Sequence, residues 1–327
     1  MKPTLITGAT GFLGKHLVER LLGRQEPLRL LCRGQSLWDN VPGIEIARGD
    51  ITDAAAVDTA VQGCARVYHL AGIVSRDPKD APQLFRVHVE GTRNVCESAL
   101  RHAVDRVVAV SSSGTIAVSK EPIVHNENSG FKKETVKHWA YYASKIAAEE
   151  LAFDMHRTRG LPLVTVNPAL ILGPGDDRNS STGDLIHLLR GQILTYPTGG
   201  MSFIDARDAA AATLTAMDRG RLGERYLLGG PNVTFKSLIR DVSRLAGLKP
   251  PLLTSPAWLS LACAPLLRRL MPLIGREFTL DNETIELSGH FWYLDASKAV
   301  RELGLTTRDP MVTFRETIDD IRARGVA

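Results

Sequence analysis

Cysteines, aromatic residues and uninterrupted apolar runs are all scarce in this chain of 327 residues, which has 4 Cys and 6% aromatics. Cys32, Cys64, Cys96 and Cys263 stand far apart and make no Cys-x-x-Cys pair. That spacing argues against a metal site and a disulfide framework, and for a reducing, cytoplasmic compartment. The longest apolar region, residues 252–275, is broken by Pro256, Pro265, Arg268, Arg269 and Pro272. A membrane-spanning helix needs about 20 apolar residues without such breaks. Neither sign of charge dominates: 40 Lys+Arg against 36 Asp+Glu leave +4, too little to imply nucleic-acid binding. Met1-Lys2-Pro3 leads straight into Thr4-Leu5-Ile6-Thr7, so no signal peptide is expected. Internal repeats and low-complexity tracts are missing too.

What is there is the material of a folded protein. Hydrophobic residues make 44% and charged residues 23%, which excludes disorder and fibrous repeats. At about 150 residues per domain, the length suggests two domains. Short apolar runs at 4–7, 28–32, 44–47, 66–71, 104–111 and 163–167 read as strands. Helical patterns at 12–22, 54–61, 82–102 and 142–159 alternate with them. In the first of these, Leu13, Leu17, Val18, Leu21 and Leu22 form one stripe. Apolar strands separated by helices predict an α/β fold of Rossmann type, a doubly wound parallel sheet. After Pro168 the rhythm changes. Helices are expected at 184–189, 208–217, 234–246 (capped by Gly247), 295–303 and 314–323, with a short strand at 226–228. The expected division is a nucleotide-binding domain over 1–170, with segments near 203–230 returning to it, and a smaller, mostly helical substrate region over 171–327.

Gly8-Ala9-Thr10-Gly11-Phe12-Leu13-Gly14 follows the first strand and opens the first helix. Glycines there permit a tight turn and close backbone approach to a pyrophosphate, which the helix N-terminus attracts. The second strand ends in Cys32-Arg33-Gly34 without a carboxylate. An acidic residue there would bond the ribose 2′-hydroxyl of NAD(H). Arg33 can instead pair with a 2′-phosphate, which favours NADP(H) while leaving NAD(H) open. Asp50 is placed to accept from the adenine amino group, with Ile51 against the ring, or else to cap the following turn. Leu70-Ala71-Gly72 are placed to let a cofactor pass close to the backbone.

Tyr141 and Lys145 stand four residues apart, on one face of a helix. A nearby ammonium lowers a phenol's pKa from about 10, and such a phenol can exchange a proton with a substrate oxygen. Ser111-Ser112-Ser113 end the fifth strand, at the sheet edge where ligands of open α/β sheets bind. A hydroxyl there can orient a carbonyl.

With these motifs in this order the chain resembles the extended short-chain dehydrogenases/reductases of the NAD-dependent epimerase/dehydratase superfamily. It is most similar to dihydroflavonol-4-reductase-like proteins, including the hopanoid-associated sugar epimerase-like group. His69-Leu70-Ala71-Gly72, Gly91-Thr92 and Asn167-Pro168 carry the resemblance along with the motifs above. The resemblance implies that Ser112, rather than Ser113, is the catalytic serine and that Pro168 lines the nicotinamide pocket. It also implies that Tyr141 gives the proton and Lys145 holds the ribose. Two departures speak against a nucleotide-sugar substrate. The Asn-x-Tyr-Gly-Pro-Arg stretch of those epimerases is replaced by Asn167-Pro168-Ala169-Leu170-Ile171-Leu172-Gly173-Pro174-Gly175, and their Arg-Asp-Phe by Met201-Ser202-Phe203. His88 stands where an asparagine is common.

The expected activity is NADP(H)-dependent interconversion of a ketone or aldehyde and its alcohol, on a small hydrophobic molecule of sterol, flavonoid or lipid type. The alternatives are a nucleotide-sugar epimerase or dehydratase with a tightly held cofactor, and a non-catalytic NADP sensor. Tyr141 and Lys145 speak against the sensor. A homodimer is left open. Residues 252–275 are read in two ways, as a helical cover with one face in the core or as an apolar lid touching a membrane surface.

Overall fold

Alternate residues of each central strand face opposite layers, so one short apolar run supplies two cores. The computed structural model describes residues 2–275 and 278–327. In it, Ile6, Leu30 and Val108 join one buried cluster, whereas Leu5, Leu31 and Val107 join the cluster on the other side of the sheet. The strands of the first half are β1 (Thr4–Thr7), β2 (Leu28–Cys32), β3 (Ile44–Arg48), β4 (Arg66–His69), β5 (Arg106–Val110) and β6 (Leu163–Pro168). From the second half come β7 (Leu170–Leu172), β8 (Gly200–Asp205), β9 (Glu224–Leu228), β10 (Asn232–Thr234) and β11 (Phe291–Trp292). Among the described residues the large sheet has 7 strands in the order β3-β2-β1-β4-β5-β6-β9. Its pairings are all parallel. The chain reverses its direction of winding between β1 and β4, and a crevice opens at such a switch point.

Helices α1 (Phe12–Leu22) and α2 (Ala54–Val61) follow β1 and β3. In α1, Leu13, Leu17, Val18 and Leu21 are buried, as their spacing predicts. Asp53 caps α2 by accepting from the amides of Ala55 and Ala56. The single helix expected over 82–102 is instead α3 (Ala81–Phe85), a π-helical turn over Arg86–Glu90, and α4 (Gly91–Arg101). The wider turn carries His88, which is buried and bonded to two other segments. Such turns often occur where a helix accommodates a functional side chain.

Next come α5 (Lys133–Val136) and α6 (Ala140–Arg159), then α7 (Gly183–Leu189), α8 (Ala206–Arg219) and α9 (Phe235–Ala246). The last are α10 (Ala257–Leu270), α11 (Asn282–Leu287), α12 (Ser297–Leu303) and α13 (Pro310–Ala323). The cap expected after α9 is present, with Gly247 at φ +72°. The helices expected in the second half are all there, but a small sheet stands among them. In it β8 pairs with β10 antiparallel and with β11 and β7 parallel. Its shortest strands have only 2 or 3 residues. That is too few for alternation to register, and pairing rather than propensity makes them strands.

Candidate active site

The glycine loop is tight for a reason visible in the backbone. Gly8 has φ +76°, and a Cβ there would sit 2.7 Å from the Ala71 nitrogen. The loop therefore lies directly on the end of β4, where Leu70, Ala71 and Gly72 leave the sheet. Gly14 allows the first turn of α1 to rest on the Gly8 carbonyl. Gly11 caps α1 without a side chain, so the first-turn amides are available to an anion. Phe12 and Leu13 turn inward and are buried. Trp38, which no local pattern marks, donates its indole N–H to the Ala9 carbonyl at 3.1 Å and braces the loop.

A cavity of about 390 Å³ runs from Thr10 to the end of β2. Lys15, Arg33, Ser36 and Arg178 are among its walls. Arg33 is 62% exposed and stands 3.8 Å from Asp50. Asp50 Oδ1 accepts from the Thr52 amide at 2.9 Å and the Thr52 hydroxyl at 2.8 Å. That oxygen caps a turn, as in the second of the two expected roles. Burial pushes the Asp50 carboxyl up, but the Thr52 bonds and Arg33 outweigh it and leave the pKa below the ordinary value. Ile51 is buried against Gly91. The loop after β7 reaches back over the glycine loop: Asp177 pairs with Lys15, and Arg178 donates to the Thr10 hydroxyl at 3.3 Å. These residues fit a dinucleotide. The backbone cradle tolerates no Cβ at Gly8, the helix end is uncapped, and three cations line the cavity beyond.

Ser112 and Tyr141 stand together where β5 ends beside α6, and Lys145 lies one turn further along that helix. Burial pushes the Tyr141 phenol up to about 12, with the nearby Ser112 hydroxyl working the other way. Burial likewise pushes Lys145 down to about 8, against the pull of Glu149 one helical turn further on. The expectation that Lys145 lowers the tyrosine is not met in this structure. The ammonium donates to the Val110 carbonyl at 3.3 Å, and desolvation governs the phenol. A phenol held this high stays protonated at neutral pH, which suits a proton donor. Pro168 ends β6, buried and paired with Leu228.

Two buried groups under this trio escaped the sequence reading as parts of the site. His88 accepts from the Ile73 amide through Nε2 at 3.2 Å, so its proton sits on Nδ1. Nδ1 donates to the Ser144 hydroxyl at 2.8 Å, and Ser144 donates to the Tyr141 carbonyl at 2.8 Å. Burial pushes His88 down to about 2, which keeps it neutral and this chain of bonds fixed. Glu149 Oε2 accepts from Ser111 at 2.6 Å, Asn167 at 2.9 Å and Thr115 at 3.2 Å. Its other oxygen lies 3.2 Å from Arg225, whose guanidinium stacks over Phe131 and Phe153. One carboxylate thus ties together the end of β5, β6, β9 and α6.

Behind Tyr141 packs an aromatic cluster of the core. Tyr142 stacks on Trp292 with centroids 4.9 Å apart, and Trp139 lies edge-on to His290 at 5.0 Å. Gly114 leaves room for the Tyr142 ring. Arg76 grips Asp184 with two bonds of 2.8 and 3.0 Å and donates to Thr284 at 2.7 Å. The loop after β4 is thereby tied to α7 and α11. Neighbouring Glu283 is pushed up to about 7, first by burial and then by nearby carboxylates, although Arg76 pulls it down.

The NAD dependent epimerase/dehydratase family matches this chain over residues 4–229. The chain belongs to that family. It is an extended short-chain dehydrogenase/reductase, and so an NAD(P)-dependent oxidoreductase. Sterol demethylase protein B of Methylococcus capsulatus is 34% identical over 330 residues, covering 99% of each chain. Cinnamoyl-CoA reductase 1 of Oryza sativa subsp. japonica is 33% identical over 258 residues, covering 73% of this chain and 75% of the rice protein. The solved structure of gox2253 superposes with a TM-score of 0.84 at 29% identity, covering 100% of this chain and 99% of that one. Among the described residues, no helix of this family member is long and apolar enough to cross a membrane.

Proposed function

We propose that this enzyme uses NADPH to reduce the carbonyl of a small hydrophobic substrate. The observation that carries the reading is Tyr141, whose phenol burial holds high, beside Ser112 and edge-on to Tyr142. A bound NADPH supplies hydride to the carbonyl carbon. Tyr141 gives its proton to the carbonyl oxygen, and Ser112 donates a hydrogen bond that orients that oxygen. Lys145 holds a positive charge beneath them. Tyr142, half-buried and backed by the core residues Trp139 and Trp292, offers aromatic surface beside Tyr141. The names of the Methylococcus and rice relatives point to sterol and cinnamoyl compounds, which suits such a surface. In this reading residues 1–170, with the segment near 203–230, hold the cofactor and 171–327 shape the substrate side. The four cysteines are free, which fits a reducing cytoplasm.

The test is NADPH oxidation with sterol ketones, flavonoids, aliphatic aldehydes and nucleotide sugars. Stoichiometric oxidation with apolar carbonyls is expected. Conversion of a nucleotide sugar without net cofactor consumption overturns the reading in favour of an epimerase.

Cofactor choice is tested by two substitutions. Arg33→Ala is expected to weaken NADPH by about 1.5–3 kcal/mol, the scale of a hydrogen bond to a charged group, and to leave NADH unchanged. Arg178→Ala, next to Thr10 in the glycine loop, is expected to weaken both cofactors alike. Dissociation constants from the quenching of protein fluorescence read both effects. Equal losses for both cofactors in Arg33→Ala would show that Arg33 does not read the phosphate.

A further inference from the structure

Helix α10 is apolar on two faces, and only one of them is covered. Ala257, Leu261, Ala264 and Leu267 recur at helical spacing on the side that packs on α11, where Ala264 meets Leu280 and Ile285. Trp258, Leu259, Ala262, Leu266, Leu270 and, just beyond the helix, Leu273 recur at the same spacing on the opposite side, in water. Trp258 is 70% exposed and Leu266 58%. The preceding loop adds Leu252, 94% exposed, and Leu253. A helix apolar all round is normally buried all round, and a contiguous exposed apolar patch marks an interaction surface.

Charge decides the partner. Between Asp241 and Glu277 the sequence holds no acidic residue and five basic ones, Arg244, Lys249, Arg268, Arg269 and Arg276. Arg244 pairs with Asp241, and Arg268 is bonded to the Leu280 carbonyl and Asn282. Lys249 and Arg269 are exposed, and neither makes an ion pair among the described residues. Arg269 sits within the stripe, between Leu266 and Leu270. A second copy of this chain docked there would bury Arg269 with no carboxylate on that face to pair with it, which is costly. A lipid surface takes the leucines into its acyl boundary and leaves the cations among its headgroups, with the tryptophan at the interface.

We infer that α10 and the loop before it form a docking surface for an anionic membrane, on which the enzyme lies without spanning it. The inference does not depend on which carbonyl the active site reduces. The site nonetheless stands close by, since α11, on which α10 packs, bonds Trp139 and Arg76.

The chain provides its own reporter. Trp38, Trp139 and Trp292 are buried, which leaves Trp258 as the exposed tryptophan. Vesicles of phosphatidylcholine with phosphatidylglycerol are expected to shift the emission to the blue and to co-sediment the protein. Vesicles of phosphatidylcholine alone are expected to bind at least about tenfold more weakly. Brominated lipid is expected to quench the shifted emission, and this measurement needs no variant. Leu259→Glu with Leu266→Glu is expected to lose about tenfold or more in vesicle partitioning while keeping turnover on a short soluble aldehyde. An unshifted spectrum with no co-sedimentation on anionic vesicles overturns the inference. So does a concentration-dependent dimer in solution that the same double variant dissolves, because it would assign the stripe to a second copy.

Discussion

Tyr141→Phe is expected to reduce turnover by about 10²-fold or more, the usual scale for a general acid, while cofactor binding stays close to normal. The substitution removes one oxygen and keeps the ring, so the edge contacts of Tyr141 with His88 and Tyr142, at 5.7 and 5.0 Å, survive. The size of the loss follows from the environment. Burial holds the phenol at about 12, so between pH 6 and 9 virtually every molecule carries the proton that the reaction consumes. Stopped-flow absorbance of NADPH, with the cofactor's dissociation constant measured separately, divides the two effects. Near-normal turnover in the variant removes Tyr141 from the mechanism. A loss confined to cofactor affinity makes it a binding residue.

That this tyrosine could be found in the sequence at all rests on spacing within one helix. Tyr141 and Lys145 share a face because four residues make one turn, and Gly8, Gly11 and Gly14 are legible because a strand and an amphipathic helix flank them. What could not be read arises from contacts between distant segments. His88 reaches Ser144 across 56 positions and Trp38 reaches Ala9 across 29, and neither distance leaves a local pattern. The aromatic cluster needs Trp292, which stands on a strand of 2 residues that exists only through its pairing with β8 and with Ser119. The phenol's pKa is set in the same way. A charge four residues away is visible in the sequence, whereas desolvation by the whole fold is not. Residues 252–275 show the converse case: their apolar spacing is plain in the sequence, but which face meets water is decided only by where α10 docks.

Glu149 did leave a local trace, one turn beyond Lys145 on the same helix, and the electrostatics of the site turn on it. Its buried carboxylate raises the lysine against a desolvation that has already brought it from 10.5 to about 8. Glu149→Gln keeps the size and an acceptor oxygen for Ser111 and Asn167 but removes the charge. The lysine pKa then falls below about 8. The amine becomes neutral near physiological pH, and the positive charge under the reacting oxygen is lost. In the direction of reduction, kcat/KM of the native enzyme is expected to decline above about pH 8, as Lys145 deprotonates. In the variant this alkaline limb is expected to move down by about one pH unit or more, the scale for a close opposite charge. The stability linkage runs the same way. A lysine whose folded pKa is depressed weakens the fold below that pKa, and the lost stability returns as pH rises from about 8 toward 10.5. In Glu149→Gln that recovery starts at lower pH. A merely structural role would lower the melting temperature without displacing the limb. Glu149→Ala shows that contrast, since it also strands Arg225, 15% exposed between two phenyl rings. That variant is expected to lose about 3–5 kcal/mol of stability, the cost of breaking a buried pair. If the limb of Glu149→Gln stays where the native enzyme has it, the carboxylate does not set the charge on Lys145, and its place in the site is to hold β5, β6 and β9 together.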